Sequence, residues 1–212
     1  MTLIASLIVM MHSCIQSQDP KKNTSKTEPN TKIVGGPCEG CDAATDYGDK
    51  VLNWTDTIKG FDTSNNKIKI NGTVFRNDGQ TPAEGIIVYV YHTDHTGRYP
   101  TKSTSTGLER RHGYMRTWLR TDADGRYEFY TSRPASYPNS TVPQHIHVTI
   151  KEPGLNSYYI EDFFFADDPN LTSDIKKRSK PRGGSGVIQL KGDGTIKTAT
   201  RDIILGLHIP DY

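Results

Sequence analysis

In the run PQHIHVTI, His145 and His147 are separated by a single residue, and Tyr137 lies just upstream in ASYP. Side chains two apart on a strand share one face. The two imidazoles would therefore stand side by side, which is either the beginning of a metal site or a pair of ordinary half-buried strand histidines. Three tyrosine-bearing segments could add to them: GRYP with Tyr99, HGYM with Tyr114 and ASYP with Tyr137. A phenol loses its proton near a pKa of about 10, so a tyrosinate ligand needs a strongly acidic cation. Ferric iron is hard and highly charged and takes anionic oxygen donors together with imidazole. Two tyrosinates and two neutral histidines leave Fe(III) with a charge of about +1 and open positions. Such a centre attracts a ligand with two adjacent anionic oxygens, that is, a catecholate.

The remaining candidates read as structural. His92 and His95 are three apart, on opposite faces of a continuing strand. His112 follows Arg110 and Arg111 and reads as part of a solvated basic tip; His208 reads as a packing or surface residue. Tyr114 and Trp118 read as core or wall, with Arg116 and Arg133 as candidates for a pocket entrance. Cys38 and Cys41 in GGPCEGC supply two thiolates where a structural zinc site needs four ligands. They read as a local disulfide at the start of the folded domain. The alternative, a redox pair, lacks a thioredoxin-like strand–helix pattern around it.

The elements that must carry these residues are short strands. From Asn66 onward, KIKINGTVF, IIVYVYHTD, GYMRTWLRT, GRYEFYT, HIHVTI, YYIEDFFFA, GVIQL, TIKTA and RDIILGL are separated by Gly- and Asp-rich turns. IIVYVY is apolar on both faces, as a central strand packed on each side requires. DADG at Asp122 to Gly125 and KGDG read as hairpin turns. Only NLTSDIKKRS reads as helical. The fold class this predicts is all-β: a single β-sandwich core of two mainly antiparallel sheets, with one short helix after the core.

The chain has 212 residues, enough for one moderate domain with its own core, and a net charge of +2 from 26 basic and 24 acidic residues. No basic block interleaved with aromatics is present, which excludes a nucleic-acid partner. No apolar stretch reaches the roughly 18 residues of a spanning helix. MTLIASLIVMMHSC, residues 1–14, reads as a lipoprotein-like signal with Cys14 as the lipid-anchor site, and 15–35 as a flexible tether. The predicted product is exported, periplasmic or at the cell surface, with the sandwich domain over 36–212.

GTVFRNDGQTPAEGIIVYVYHTDHTGRYP, MRTWLRTDADGRYEFYTSRPASYP, PQHIHVTI and DFFFADDP, in that order over residues 67–169, resemble the intradiol ring-cleavage dioxygenases of the protocatechuate and catechol dioxygenase type. GGPCEGC resembles the lead-in of their exported branch. The resemblance implies a non-haem Fe(III) held by Tyr99, Tyr137, His145 and His147. It implies a catecholic substrate, O2 as co-substrate and a muconate-type diacid as product, with Tyr137 leaving the metal to accept a substrate proton. The chain departs from the family at Val142, where an arginine is usual, and at Asp162, where a glutamine is usual. The loop from Tyr137 to His145 is also short, and the helical N-terminal domain of catechol-type members is missing, which leaves the oligomeric state open. Loss of the arginine and glutamine keeps a second reading in play, a non-catalytic iron- and catecholate-binding module. A third, a metal-free interaction sandwich, requires the four ligand matches to coincide by chance.

Overall fold

The computed structural model describes residues 31–178 and 181–212. The signal-like segment with Cys14, and the tether up to residue 30, lie outside the described residues. Where the description begins, the chain is already bound to the fold: Lys32 donates its N–H to Gly154 O at 2.9 Å, and Val34 is fully buried.

The strands are β1 (Thr55–Thr57), β2 (Lys67–Phe75), β3 (Ile87–Tyr91), β4 (Arg116–Arg120), β5 (Arg126–Ser132), β6 (His145–Lys151), β7 (Tyr158–Tyr159), β8 (Phe163–Phe165), β9 (Val187–Ile188), β10 (Ile196–Thr200) and β11 (Ile203–Ile204). One sheet runs β1-β5-β2-β10 with β11 beside β2; the other runs β4-β3-β6-β8-β9 with β7 beside β6. The central pairings, β2 with β5 and β3 with β4 and β6, are antiparallel, whereas the flanking strands β1, β9, β10 and β11 pair in parallel, β10 with β2 from Ile196 to Thr200. The predicted all-β sandwich is what the chain forms.

Alternation builds the interior. Ile68, Ile70, Val74 and Phe129 of the first sheet pack with Val88, Val90, Ile146, Val148, Ile150 and Phe163 of the second in one buried cluster. Full burial of each such aliphatic or aromatic side chain contributes roughly 1.5–3 kcal/mol. The opposite face of the second sheet is covered too. Ile87, Tyr89 and Trp118 pack under Ala43 and Ala44, which belong to a 3₁₀ turn at Cys41–Thr45. Trp118 Nε1 donates to Ala43 O at 2.7 Å. This second layer explains why β3 is apolar on both faces. Cys38 and Cys41 form a disulfide, which ties that turn to the preceding loop.

Three expectations need correction. The DADG turn is not a hairpin within a sheet. Gly125 N donates to Asp122 O at 2.9 Å, closing a tight turn, but β4 pairs with β3 and β5 with β2, so the turn crosses from one sheet to the other. KGDG does close an antiparallel bridge, Lys191 with Thr198. The helix after the core is present as α2 (Ser173–Arg178), but a second, α1 (Gly107–His112), precedes β4. Gly113, at φ 73°, ends α1 by returning its N–H to Glu109 O at 2.9 Å. That sharp stop tucks His112 inward instead of leaving it on a basic tip: it is 4% exposed.

Candidate metal centre

In β6, Ile146, Val148 and Ile150 point into the sandwich, so His145 and His147 point to the other face, together with Tyr89 and Tyr91 of β3. In register, Tyr91 is the partner of His147. The two imidazole Nε2 atoms lie 3.2 Å apart.

Two loops bring the phenols to them. After β3 the chain turns at Asp94, whose carboxylate accepts from Thr96 N at 2.8 Å and Arg98 N at 3.2 Å, and this turn presents Tyr99. Gly97 permits the fit. It has φ +76°, and a Cβ there would lie 2.0 Å from Ser136 O, so only glycine lets this loop lie against the segment carrying Tyr137. Ala135 N donates to Asp94 O at 3.1 Å, and Thr93 Oγ1 to Ala135 O at 2.7 Å, clamping the two loops together. From the other side, Tyr114 N donates to Pro100 O at 2.9 Å, and Gly113 approaches so closely that a Cβ would meet Pro100 O at 2.9 Å.

The result is a four-donor cluster. Tyr99 Oη lies 2.6 Å from Tyr137 Oη and 2.8 Å from His147 Nε2; Tyr137 Oη lies 3.2 Å from each of His145 and His147 Nε2. All four residues singled out in the sequence are brought together. Tyr114 is a partly buried wall residue packed on the core and is not part of the cluster. His92 is fully buried between Thr93 O and Thr131 Oγ1, at 2.7 and 2.6 Å, and is structural. Arg133 does not face the cluster: it forks onto Asp167 at 2.8 and 2.9 Å and donates to Gln144 Oε1 at 2.7 Å, bracing the two ends of the Tyr137 loop.

The protonation pattern of the imidazoles follows from their outer partners. His145 Nδ1 lies 2.6 Å from Pro143 O, which can only accept, so Nδ1 carries the hydrogen and Nε2 faces the cluster as a lone pair. His147 Nδ1 lies 3.2 and 3.3 Å from the two oxygens of Asp162, and its Nε2 likewise faces inward. Two imidazole lone pairs thus converge with two phenol oxygens, an arrangement that repels itself unless protons or a cation occupy the centre. Burial pushes the Tyr99 phenol well above its ordinary range, and the hydrogen bond with Tyr137 adds to this. Burial likewise raises the Tyr137 phenol. Burial first, and then the neighbouring His147, depress the His145 imidazole, which keeps it neutral and available as a ligand. A cation with bonds of about 2 Å holds its donors roughly 2.8–3.4 Å apart, which these distances approach, so the residues fit a metal ion.

Asp162 is the functional residue that sequence reasoning treated only as a departure. The signal for it was register. β8 runs antiparallel to β6 with Phe163 opposite Ile146, so the next step outward sets Asp162 opposite His147. A carboxylate behind a ligating histidine fixes the ring and raises its basicity. His112 is the second such residue. Tyr91 is stacked between His112, at 4.0 Å between ring centroids, and His147, at 4.5 Å, while Tyr89 Oη lies 2.9 Å from His112 Nδ1. Beside His147 a cavity of about 220 Å³ opens, lined among others by Pro37, Glu39, Tyr91, Tyr159 and Asp162. Val142, in the place of the usual arginine, is 42% exposed.

A β-sandwich carrying two tyrosines and two histidines at one point is the arrangement that the resemblance to intradiol dioxygenases implies. A family model described as Dioxygenase matches residues 44–193, and the chain belongs to that family, the intradiol ring-cleavage dioxygenases. The chain is 28% identical over 123 residues to the protocatechuate 3,4-dioxygenase beta chain of Burkholderia cepacia, a match spanning 55% of this chain and 52% of that one. It thus covers about half the length of this curated relative. In fold it is similar to the dioxygenase domain of a dioxygenase–carbohydrate-binding fusion from Streptomyces sp. SirexAA-E, with a TM-score of 0.56 and 21% identity over 84% of this chain and 98% of that one. It is also similar to hydroxyquinol 1,2-dioxygenase from Pseudomonas putida DLL-E4, with a TM-score of 0.54 and 21% identity over 86% and 68% of the two chains.

Proposed function

We propose that the protein is an Fe(III) intradiol dioxygenase that opens catechol-type rings with O2 to muconate-type diacids. The observation that carries this reading is the convergence of Tyr99, Tyr137, His145 and His147 with both imidazole lone pairs turned inward. These four residues would hold the ion. When bound, Fe(III) supplies a Lewis acid that withdraws electron density from a chelated catecholate and so lets its ring react with O2.

The rest is done by the chain. Pro143 O and Asp162 hold the two imidazoles in the ligating tautomer. Tyr91, stacked on His147, fixes the plane of that ring. Tyr99 is gripped by the Gly97 and Gly113 contacts on both sides. Tyr137 lies outside any strand, and the Gly97 contact bears on its segment too, at Ser136 and Pro138. As the resemblance implies, its Oη is the base that takes a hydroxyl proton from an incoming catechol. Both oxygen atoms of O2 end in the two carboxyl groups of the product, which balances the reaction without a further reductant.

Export to an oxidising compartment belongs to the same proposal, supported by the apolar leader and by the Cys38–Cys41 disulfide. Val142 and Asp162 favour a second reading, capture of catecholates without turnover, because no arginine among the described residues lines the cavity beside His147. Oxygen uptake and product analysis on iron-loaded protein with catechol decide between them. Stoichiometric O2 consumption with a ring-opened diacid supports the enzyme; tight catechol binding with no diacid selects the binding module.

A further inference from the structure

The two ligand imidazoles are not held equally well by their outer partners. His145 Nδ1 lies 2.6 Å from the carbonyl of Pro143, a short bond to fixed backbone. His147 Nδ1 lies 3.2 and 3.3 Å from the Asp162 oxygens, longer than the roughly 2.7–2.9 Å of a tight charge-assisted pair. An imidazole turns about a soft, two-fold torsion, so a loose bond at one nitrogen leaves its plane to be set by what packs on its faces. Tyr91 packs there, with ring centroids 4.5 Å apart and 25° between planes. Tyr91 is backed in turn by His112, at 4.0 Å and 6°, the closest and flattest ring stack among the described residues. His112 is pinned at both ring nitrogens. Nδ1 lies 2.9 Å from the Tyr89 hydroxyl, and at Nε2 the backbone of Gly40 lies so near that a Cβ would come within 2.8 Å. Gly40, at φ +84°, sits between Cys38 and Cys41, which the disulfide closes into one short loop. That loop is fastened down by Trp118 Nε1 on Ala43 O at 2.7 Å and by the surface pairing of Glu39 with Arg111.

We infer that His112 is a positioning residue for the metal centre: seated by the disulfide-tied loop, it holds Tyr91 flat against His147 and so aims the Nε2 lone pair of that ligand. The inference rests on the metal-binding reading of Tyr99, Tyr137, His145 and His147 and adds to it how one ligand is kept in line. His112 acts through Tyr91, whose ring stands between it and His147. A ligand whose lone pair is misdirected binds its ion more weakly, so metal retention and the charge-transfer spectrum both report the loss. The same contacts make the Cys38–Cys41 bond part of the centre's support, because opening it frees Gly40 to draw back from His112.

The test uses iron-loaded full-length protein and two readouts besides turnover: the rate at which a strong chelator strips Fe(III), and the tyrosinate-to-iron band. His112→Ala removes the backing ring and should lose iron on the order of tenfold faster, with the band shifted or broadened. Tyr91→Leu, which keeps apolar bulk without a stacking face, should do the same, and it carries the test if His112→Ala does not fold. Tyr91→Phe keeps both stacks and should match the parent rate to within about twofold. The double variant Cys38→Ser, Cys41→Ser should release iron about threefold faster. Lower melting temperatures with parent-like iron release and spectrum in His112→Ala and Tyr91→Leu would show a purely structural role and overturn the inference. Failure of Tyr91→Phe to match the parent overturns it too, by placing the effect on the phenol and not on the stack. An unchanged release rate in the double cysteine variant overturns the part given to the loop. A parent protein that takes up no iron overturns the metal-binding reading itself.

Discussion

At the scale of single residues, the site divides its labour between two chemically identical phenols. Tyr99 and Tyr137 lie 2.6 Å apart and face the same imidazole, yet their supports differ. The Gly97 contact holds both loops, and Tyr99 alone is also held by the close approach of Gly113 to Pro100. The expected consequence is asymmetric. Tyr137→Phe keeps three ligands and retains most of its iron, but loses the proton acceptor, so kcat with catechol falls on the order of 100-fold or more. Iron content and steady-state kinetics on the purified variant check this. A kcat within twofold of the parent would show that Tyr137 Oη is not the base. The two outer-shell partners, Pro143 O and Asp162, differ as well: a backbone carbonyl is fixed by the fold, whereas the carboxylate is a choice of sequence.

At the scale of elements, the sheet and the loops contribute differently. β6 alone presents the two imidazoles, and a two-residue repeat in the sequence was enough to place them on one face. The phenols depend on a contact between two loops distant in sequence, and Gly97 is where that contact is tightest. Gly97→Ala puts a Cβ in a left-handed backbone position against Ser136 O. It should cost about 1–3 kcal/mol of stability and lower iron retention as Tyr99 is displaced from Tyr137. Thermal melts with iron analysis test this, and an unchanged melting temperature and iron stoichiometry would contradict it.

The same contrast explains what the sequence made legible. The strands after Asn66, the buried faces of β2, β3 and β6 and the four converging side chains follow from alternation and from motif order, whereas β1 at Thr55–Thr57 was not anticipated. The sheet crossing at Asp122–Gly125 does not, because a tight turn looks alike whether its flanking strands pair with each other or with different partners. His112 was misread because two arginines before it suggest solvent. What buries it is tertiary: Tyr91 stacks on it, and Gly40 leaves space beside its Nε2. The partnership of Asp162 with His147 depends on the register of β8 against β6, which alternation within either strand cannot supply.

At the scale of the whole molecule, the sandwich carries its chemistry on an outer face of one sheet, beneath the disulfide-tied loop and beside buried histidines that couple the fold to pH. His92 is fully enclosed, and burial depresses it to about 4. A neutral imidazole whose pKa is lowered by folding stabilises fully above the unfolded value of about 6.5, and that stability is lost as the pH falls from there towards 4. Between pH 7.5 and 4.5 His92 alone accounts for a loss of about 2.5 kcal/mol. His112, also depressed to about 4 by burial first and then by Arg111, adds in the same direction. Urea melts of His92→Gln should show an acid-induced loss smaller by about that amount; an equal loss would remove His92 as a cause. Above both scales stands the claim that Tyr99, Tyr137, His145 and His147 share one Fe(III) and leave it open to a chelating catechol. Its most direct test is an anaerobic visible titration of the iron-loaded full chain with catechol, beside Tyr99→Phe. The account predicts a tyrosinate-to-iron charge-transfer band that shifts as catechol binds and is bleached or displaced in the variant. A protein that takes up no iron, or whose spectrum ignores both catechol and the loss of Tyr99, would contradict it.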